Sequence, residues 1–299
     1  MRIGIDLGGS KTELLALDEQ GLEVMRFRRP TPAGDYGATI DLIVAMVLQA
    51  EKELGVRASI GIGTPGAISR QSGMMKNCNS TCLNGRTFKE DIEQALQREV
   101  RLSNDANCFA LSEAVDGAGA GSAVVFGVIL GTGVGGGLVV NGQVLDGANL
   151  IAGEWGHNPL PIVAPSELPG PECYCGRNGC IEAWLSGPAM QAEHFRHYGK
   201  KLTAADIASA AQAGDVACLQ TLEIYCERLA RALATVINII DPDVIVLGGG
   251  LGNIEMLYSR VPLLWHRYIF SDEIRTSLLR PAHGDSSGVR GAAWLWGRA

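Results

Sequence analysis

The chain has 299 residues, 46% of them hydrophobic, which is enough material for two domains with separate cores. Its formal net charge is -7, and no run of lysine and arginine offers a stripe that could follow a phosphate backbone, so we expect no nucleic-acid partner. No apolar run approaches the length of a membrane span, and the first residues lack the pattern of a secretory signal. We therefore expect a cytoplasmic protein without a membrane partner.

The first part of the chain predicts strands and helices in the order βββαβαβ. Apolar runs predict three strands, a helix and a buried strand at residues 2–7, 11–17, about 23–28, 36–54 and 59–64. A loop rich in glycine, proline and asparagine follows at 65–85. A helix near 88–98 and a strand that ends at Asn104-Asp105 complete the set, and another helix is expected at 106–116.

A second set of elements repeats this order. Three strands are expected at 123–130, 138–140 and 143–145, with a glycine turn at 131–137 between the first two. Helices follow, and the longest, about 216–240, ends at Asp241-Pro242 because proline cannot continue the helical hydrogen bonds. A buried strand at 244–247 then runs into Gly248-Gly249-Gly250.

The two sets predict two domains. We place the N-terminal domain at residues 1–116, joined by a C-terminal helix at 286–299, and the second domain at 117–285. The crossover at 117–121 contains several glycines and is the expected hinge.

The turn after the first strand has the composition of a phosphate-binding loop. In Asp6-Leu7-Gly8-Gly9-Ser10-Lys11-Thr12, two glycines permit an anion to approach the backbone N–H groups, beside a hydroxyl and an ammonium group. Asp6 would provide a carboxylate for Mg²⁺, directly or through water. The nucleotide contacts predicted here are Asp6, Gly8, Gly9, Ser10, Lys11 and Thr12.

The turn at 131–137 repeats the pattern with five glycines, and the triple glycine at 248–250 could let an adenine ring lie against the backbone. The contacts predicted here are Thr132, Gly133, Gly135, Gly249 and Gly250. Taken singly, either phosphate turn is more typical of a plain β-hairpin, and only their equivalent places in two similar sets favour phosphate binding. The P-loop signature is absent, and the second turn leads into a strand, which argues against the P-loop and dinucleotide-binding folds.

Four potential metal ligands lie within a short stretch of sequence. They are His157, Cys173, Cys175 and Cys180. Gly176 and Gly179 allow the chain to fold back so that the sulfurs converge, and Zn²⁺ readily takes such a Cys₃His set. Glu154 and Glu182 flank the ligands and suit hydrogen bonds to a polyol, which indicates a sugar pocket. The alternative is a group of buried thiols in a glycine-rich loop.

Asn104-Asp105-Ala106-Asn107 lies where a strand meets a helix, a usual place for residues that face a cleft. Asp105 is the candidate general base that takes the proton from a sugar hydroxyl as it attacks the γ-phosphate, and Asn104 would orient the sugar. The alternative is that either residue only caps the following helix.

Together these motifs resemble the ROK family (repressor, open reading frame, kinase) of bacterial sugar kinases. The segments that carry the resemblance are residues 6–12, 104–107, 131–137, 154–157 and 173–182. More narrowly, residues 76–81, 153–161 and 283–296 look like the bacterial fructokinases of the family. One departure is Ser10, where the family usually has threonine, but its hydroxyl is kept.

The resemblance implies an α/β fold of the two-domain actin-like ATPase type, shared by sugar kinases, Hsp70 and actin. It also implies an ATP-dependent hexose kinase that phosphorylates the 6-hydroxyl of fructose, with some tolerance for mannose, and uses Asp105 as general base. The implied sugar contacts are Asn79, Asn104, Asp105, Glu154, His157 and Glu182. One ring nitrogen of His157 would bind zinc while the other faces the sugar.

The cofactors implied by the resemblance are ATP, Mg²⁺ and a structural Zn²⁺ held by the His157 and cysteine set. The implied partners are the hexose and ATP, and a homodimer is the usual assembly of the family. N-acetylglucosamine kinase of the same family is the alternative, because it shares the 104–114 segment and the 131–137 turn in kind. A sugar-responsive repressor is a further alternative, but it would carry a helix-turn-helix domain before the first phosphate strand, which is expected here at Arg2.

Overall fold

The computed structural model describes residues 1–297, which divide into two units. The first contains Met1–Gly121, Gly137–Ala152 and the C-terminal segment that begins at Ala282, and the second contains Ser122–Gly136 and Gly153–Pro281. The boundaries expected from the sequence assigned residues 137–152 to the second domain, whereas here they group with the first. Residues 298 and 299 of the expected C-terminal helix lie outside the described residues.

The predicted strands and helices occur in the expected succession, and the strands at 67–68, 75–76 and 277–279 and the helix at 255–265 are additional. In chain order they begin with β1 (Arg2–Leu7), β2 (Lys11–Leu17), β3 (Glu23–Pro30), α1 (Tyr36–Leu54), β4 (Ser59–Thr64), β5 (Ala67–Ile68), β6 (Met75–Lys76), α2 (Phe88–Leu96), β7 (Arg101–Asn104) and α3 (Asp105–Val115). They continue with β8 (Val124–Leu130), β9 (Val134–Val140), β10 (Gln143–Val144), α4 (Ile181–Leu185), α5 (Gly187–Tyr198), α6 (Ala204–Gln212), α7 (Val216–Ile240), β11 (Val244–Gly248), α8 (Glu255–Trp265), β12 (Ser277–Leu279) and α9 (Ser287–Trp294). No helix within residues 1–297 is long and apolar enough to cross a membrane.

The two five-stranded sheets have the same strand order. The first runs β3-β2-β1-β4-β7 and the second β10-β9-β8-β11-β12. In the first sheet β2 pairs antiparallel with β1 and β3, while β4 pairs parallel with β1 and β7. In the second, β10 pairs antiparallel with β9, and β11 pairs parallel with β8 and β12. The repeated order confirms the duplicated βββαβαβ frame predicted from the sequence.

The centre of the first sheet alternates isoleucine with glycine. The isoleucines of β1 and β4 are fully buried. On the opposite face, a methyl group at Gly4 would lie 2.6 Å from the backbone nitrogen of Ala293, and one at Gly61 would lie 1.8 Å from the carbonyl oxygen of Ala292. Helix α9 therefore packs directly on the backbone of the sheet, and a side chain at either glycine would displace it.

The second glycine turn is shorter than predicted. The expected turn spanned residues 131–137, but β9 already begins after the third of these residues. A methyl group at Gly136 would lie 2.8 Å from Cδ1 of Trp155, and one at Gly137 would lie 2.5 Å from the carbonyl oxygen of Ala106. These glycines serve close packing of a strand, so the predicted length of the turn was wrong.

The glycine-rich and proline-rich segment predicted as a loop at 65–85 contains the antiparallel pair β5 and β6. Each of these strands has only two residues. Such short strands cannot produce the alternating pattern from which a strand is predicted, so the sequence gives no sign of them.

Candidate active site and metal centre

The first glycine turn connects β1 to β2 and is closed by its own backbone. The Gly8 N–H donates to the Lys11 carbonyl at 3.1 Å, and a methyl group at Gly8 would lie 2.8 Å from that oxygen. Glycine is therefore needed here for the turn to close. Gly9, Ser10 and Lys11 are exposed, so an N–H group, a hydroxyl and an ammonium group are open to an anion.

Thr12 differs from the rest of the turn because it is fully buried. Its hydroxyl lies 2.8 Å from the hydroxyl of Thr31, which donates to the Gly8 carbonyl at 2.8 Å. The Thr12 hydroxyl therefore supports the turn from inside the protein, and its contact with a nucleotide stays a prediction. The sequence analysis missed Thr31, because no local pattern links this residue to the turn.

Asn104 and Asp105 lie where β7 ends and α3 begins. Oδ1 of Asn104 accepts the Asn107 N–H at 2.7 Å, so the helix cap that the sequence left open is confirmed for Asn104. Asp105 is the first residue of α3, and its Oδ1 accepts the Ala106 N–H at 2.8 Å. Asp105 remains exposed to solvent. The protein atoms around its carboxyl group nevertheless desolvate it, which disfavours the charged form and raises the pKa of Asp105.

Asp6, at the end of β1, has a second carboxyl with a raised pKa, about 6. Burial is the largest cause of this raised pKa, and the negative charges of Asp105 and then of Glu13 raise it further. The acids predicted for metal binding and for proton transfer are thus close enough to repel each other. A divalent cation is the kind of ligand that relieves such repulsion.

A cavity of about 240 Å³ lies beside the first turn in the first unit. Its lining includes Gly9 of the turn, the predicted sugar residue Asn79, and Thr31, Ala33 and Gly34. The structure therefore brings one predicted sugar residue next to the predicted phosphate turn. Small apolar groups alternate here with hydroxyl and amide groups, so the cavity suits a small substituent that is partly polar.

The second turn consists of residues 131–133, and Glu182 holds it. The Val134 N–H donates to Oε2 of Glu182 at 2.9 Å, and a methyl group at Gly133 would lie 2.7 Å from the same oxygen. One oxygen of a predicted sugar ligand is therefore engaged with the backbone of the predicted nucleotide turn. The carbonyl of Gly135, another predicted nucleotide contact, accepts the indole N–H of Trp155 at 2.9 Å.

A cavity of about 1030 Å³ in the second unit is lined by Thr132 and Gly250, two predicted nucleotide contacts. A methyl group at Gly250 would meet no atom within 4 Å, so this residue opens onto free space. Gly249 has a φ of 77°, and a methyl group there would lie 2.4 Å from the Leu130 carbonyl oxygen, so packing requires glycine. The cavity has the size of a nucleotide site. The sequence analysis missed the rest of the lining, such as Gln191, which belongs to no motif.

The four predicted metal ligands converge in the second unit. One ligand atom from each of His157, Cys173, Cys175 and Cys180 lies within 4.8 Å of every other. The Sγ atoms of Cys175 and Cys180 are 3.6 Å apart, and Sγ of Cys173 is 3.6 Å from Nδ1 of His157. Zinc bonds of about 2.3 Å to sulfur and about 2.0 Å to nitrogen place tetrahedral ligand atoms about 3.5–3.8 Å apart. The donor set and its spacing therefore fit a tetrahedral metal ion of this size.

Backbone hydrogen bonds shape the cysteine loop. The Cys173 N–H donates to the Arg177 carbonyl at 2.8 Å, and the Gly176 N–H donates to the Cys173 carbonyl at 2.9 Å. Gly176 and Gly179 have φ values of 86° and 71°, in the region that favours glycine. The backbone N–H of Arg177 is the main cause that lowers the pKa of Cys175 and favours its thiolate, whereas burial raises the pKa of the neighbouring Cys180.

Both ring nitrogens of His157 have neighbours. Nδ1 faces Cys173, while Nε2 lies 3.0 Å from the hydroxyl of Tyr174, whose ring meets the imidazole edge to face. Tyr174 is 84% exposed, yet partial burial of its hydroxyl and then the charges of Glu182 and Glu154 raise its pKa. Tyr174 therefore contacts His157 and lies near enough to Glu182 and Glu154 to feel their charges. The sequence analysis missed this residue, although its place between two metal ligands was a usable signal.

Comparison with known proteins identifies the family. The sequence profile of the ROK family matches residues 2–299. The N-acetyl-D-glucosamine kinase of Photobacterium profundum is 40% identical over 299 residues, and that of Vibrio cholerae serotype O1 is 39% identical over 299 residues. Each alignment covers 99% of this chain and 99% of the relative.

Solved structures give the same answer. The crystal structure of the ROK hexokinase from Thermus thermophilus has a TM-score of 0.87 at 30% identity and covers 98% of this chain and 97% of that chain. The ROK family glucokinase from Streptomyces griseus, in complex with glucose and AMPPNP, has a TM-score of 0.76 at 27% identity and covers 98% of each chain. These matches confirm the predicted α/β fold of the actin-like ATPase type. A family match that spans nearly the whole sequence, together with relatives of this identity, shows that the chain belongs to the ROK family.

Proposed function

We propose that this protein is an ATP-dependent hexose kinase that transfers the γ-phosphate of ATP to the 6-hydroxyl of its sugar, with Asp105 as general base. The observation that carries the proposal is the raised pKa of Asp105 at the start of α3, within interaction distance of Asp6. A carboxylate whose pKa is raised is better suited to accept a hydroxyl proton than an ordinary aspartate. Relatives named as sugar kinases support the same activity.

The nucleotide contacts in this proposal fall into two groups. The exposed donors of residues 9–11 suit the phosphates, and the cavity at Thr132 and Gly250 has room for a nucleoside. Asp6 would hold Mg²⁺, which when bound neutralises charge on the transferring phosphoryl group. The chain itself would then contribute positioning of both reactants and proton transfer to Asp105.

The sugar contacts that we propose are Asn79, Asn104, Asp105, Glu154, His157 and Glu182. His157 would bind zinc through Nδ1, which faces the cysteine cluster, and the sugar through Nε2. Four protein ligands leave no open position on a tetrahedral ion, so zinc would be structural and would fix the loop that presents His157.

N-acetylglucosamine is the sugar that we propose first. The two curated relatives described above, at 40% and 39% identity, are N-acetyl-D-glucosamine kinases. The cavity of about 240 Å³ beside Asn79 offers both apolar and polar groups to an acetamido substituent. Fructose, with mannose, is the second candidate, because residues 76–81, 153–161 and 283–296 resemble the bacterial fructokinases.

The role of Asp105 is tested by replacing it with asparagine, which keeps the shape of the side chain but cannot accept the proton. Asp105→Asn should bind the sugar but lose turnover by at least about a hundredfold. Binding is measured by calorimetry and turnover by a coupled assay of ADP release. Asp91→Asn, which alters a first-turn acid of α2 in the same unit, is the control and should keep its turnover. Near-normal ADP release by Asp105→Asn would remove Asp105 from the base role.

The sugar is tested by comparing kcat/KM for N-acetylglucosamine, fructose, mannose and glucose in the presence of ATP and Mg²⁺. N-acetylglucosamine should exceed the others by at least about tenfold. A comparable lead for fructose or mannose would replace the first candidate with the second. Absence of sugar-dependent ADP release with all four hexoses would contradict the kinase proposal itself.

A further inference from the structure

Residues 157–180, which join the four proposed metal ligands and which we call the metal loop, are fixed to α7 by buried ion pairs. Glu167 lies in this loop, between His157 and Cys173. It accepts a hydrogen bond from Nε of Arg228 at 2.9 Å and two from Arg231, from Nη1 at 2.9 Å and Nη2 at 3.0 Å. The side chains of Glu167, Arg228 and Arg231 are only 10%, 6% and 5% exposed. We call these three residues the Glu167 clasp.

Arg231 also holds the backbone of the loop. Its Nη1 donates to the carbonyl of Ile162 at 2.7 Å and approaches the carbonyl of Pro161 at 3.4 Å. A guanidinium group has five N–H donors in one plane, so it can bind a carboxylate and neighbouring carbonyls together. Both carbonyls lie shortly after His157, so this contact fixes the chain where it leaves the histidine.

Arg228 extends the clasp to the other side of the cysteines. Its guanidinium lies 4.2 Å from the centroid of the Trp184 ring. Trp184 belongs to α4, the helix that also contains Glu182. Arg228 further donates to Glu193 at 3.1 Å, so the buried arginines are matched by more than one carboxylate. Helix α7 therefore contacts the chain on both sides of the three cysteines, in the metal loop before them and at Trp184 after them.

Glu167 carries its negative charge at neutral pH. Burial alone would raise the pKa of Glu167, but hydrogen bonds from Arg231, the Ala164 N–H and Arg228 lower it to about 2. Removing one member of such a buried cluster leaves the opposite charge uncompensated, which is costly. The loop is thus held by contacts that do not weaken at neutral pH.

We propose that Glu167, Arg228 and Arg231 are positioning residues that hold the 157–182 segment in the geometry required by both the metal and the sugar. None of the three belongs to the metal cluster or to the proposed sugar contacts, so they act through His157 on one side and Glu182 on the other. The part that concerns the sugar rests on the proposed function. The part that concerns the metal rests only on the Cys₃His cluster.

Glu167→Gln tests the clasp, because it keeps the shape of the side chain and removes its charge. Zinc transfer to a colorimetric chelator should become about tenfold faster, as expected when partners outside the ligand set are lost. The KM for the sugar should rise by about tenfold, while kcat and the KM for ATP stay within about twofold. Glu167→Asp, which keeps the charge, should recover part of both effects.

Glu223→Gln is the matched control. Glu223 also lies on α7 and pairs with Arg260 at 2.8 Å, but both side chains are more than 40% exposed, and within the described residues this pair forms no hydrogen bond with residues 157–180. If Glu167→Gln matches this control in zinc release and in sugar KM, or if it lowers only the melting temperature, the proposal is wrong. If Glu167→Gln fails to fold, Arg231→Lys replaces it and should show the same increases in the rate of zinc release and in the sugar KM.

Failure of the Glu167 clasp can be distinguished from failure of the proposed function. If the unaltered protein phosphorylates none of the four hexoses, the kinase proposal fails, while zinc release still decides whether the clasp holds the metal loop. If the protein is an active kinase and Glu167→Gln leaves zinc release and sugar KM unchanged, only the clasp fails.

Discussion

The two glycine turns occupy the same place in two sheets of the same strand order, yet their surroundings differ. The first turn joins β1 to β2 beside Asp6 and Asp105, two acids with raised pKa values. The second joins β8 to β9, has no charged side chain in residues 131–133, and opens onto a cavity of about 1030 Å³. The same backbone frame therefore offers different surroundings at its two turns, because the neighbouring side chains decide the charge and the space at each turn.

The connection from the third to the fourth strand of the frame differs in the same way. In the first unit this connection contains the single helix α1. In the second set of elements, the connection from β10 to β11 contains the metal loop and helices α4 to α7. Among residues 1–297 the only group of at least three possible metal ligands that converge is in this second connection. The metal cluster is therefore an addition to one of two similar frames, and its effect on stability can be tested separately from the frame.

The largest expected effect comes from removing one metal ligand. Cys175→Ser should lose its bound zinc and lower the melting temperature by about 5 °C or more, because a metal that binds only the folded state adds its binding free energy to stability. Elemental analysis and thermal unfolding measure both quantities. Cys218→Ser, at a buried cysteine on α7 outside the cluster, should keep its zinc. An unaltered protein that contains no zinc would contradict the metal assignment.

The acidic surroundings of the first turn predict a pH effect on stability. The folded-state pKa of Asp6, about 6, lies above its ordinary value of 3.8. Its contribution to stability is therefore present below the ordinary value and is lost as the pH rises through about 6. Between about pH 4 and pH 7, the free energy of unfolding of Asp6→Asn should fall by on the order of 2 kcal/mol less than that of the unaltered protein. Urea unfolding at both pH values measures this, and equal losses in the two proteins would disprove it.

Filling the two cavities should separate the tasks of the two turns. Gly250→Leu should raise the KM for ATP by about tenfold and leave the sugar KM unchanged, because its side chain would enter the larger cavity. Ala33→Leu should raise the KM for N-acetylglucosamine but not for fructose, because it narrows the cavity beside Asn79. Each variant is the control for the other in steady-state kinetics. If both variants change the same KM, the division of tasks between the cavities is wrong.

The smallest effect is expected at Tyr174. Its hydroxyl lies on Nε2 of His157, the nitrogen proposed to bind the sugar, so the two compete for one hydrogen bond. Tyr174→Phe should lower the KM for the sugar by about two- to tenfold, the value of one hydrogen bond, and leave the KM for ATP unchanged. A rise in the sugar KM would instead mean that the phenol binds the sugar directly.

The metal cluster was predictable because its ligands lie close together along the chain. Three cysteines within 173–180, with glycines at 176 and 179, can fold in few ways, and the structure brings their sulfurs together with His157. The Glu167 clasp was not predictable, because its partners are 61 and 64 residues apart in sequence. Two arginines on a helix that also carries glutamates give no sign of which distant residue they contact.

The glycines of the second turn show where a local pattern misleads. A run of glycine at 131–137 predicts a long flexible turn, because glycine tolerates every backbone conformation. The structure instead places Gly136 and Gly137 in a strand against Trp155 and Ala106. Glycine was needed there for lack of space, which depends on residues far away in the sequence.

The sequence by itself determined the succession of most strands, the places of the two turns and the four members of the Cys₃His cluster. These follow from apolar periodicity, backbone freedom and short spacings, all of which are local properties. Only the tertiary structure decided which polar atoms already have partners, such as Thr12 with Thr31, Glu182 with Val134, and His157 with Tyr174. A donor binds the acceptor that the fold brings within about 3 Å, and no local pattern encodes that distance.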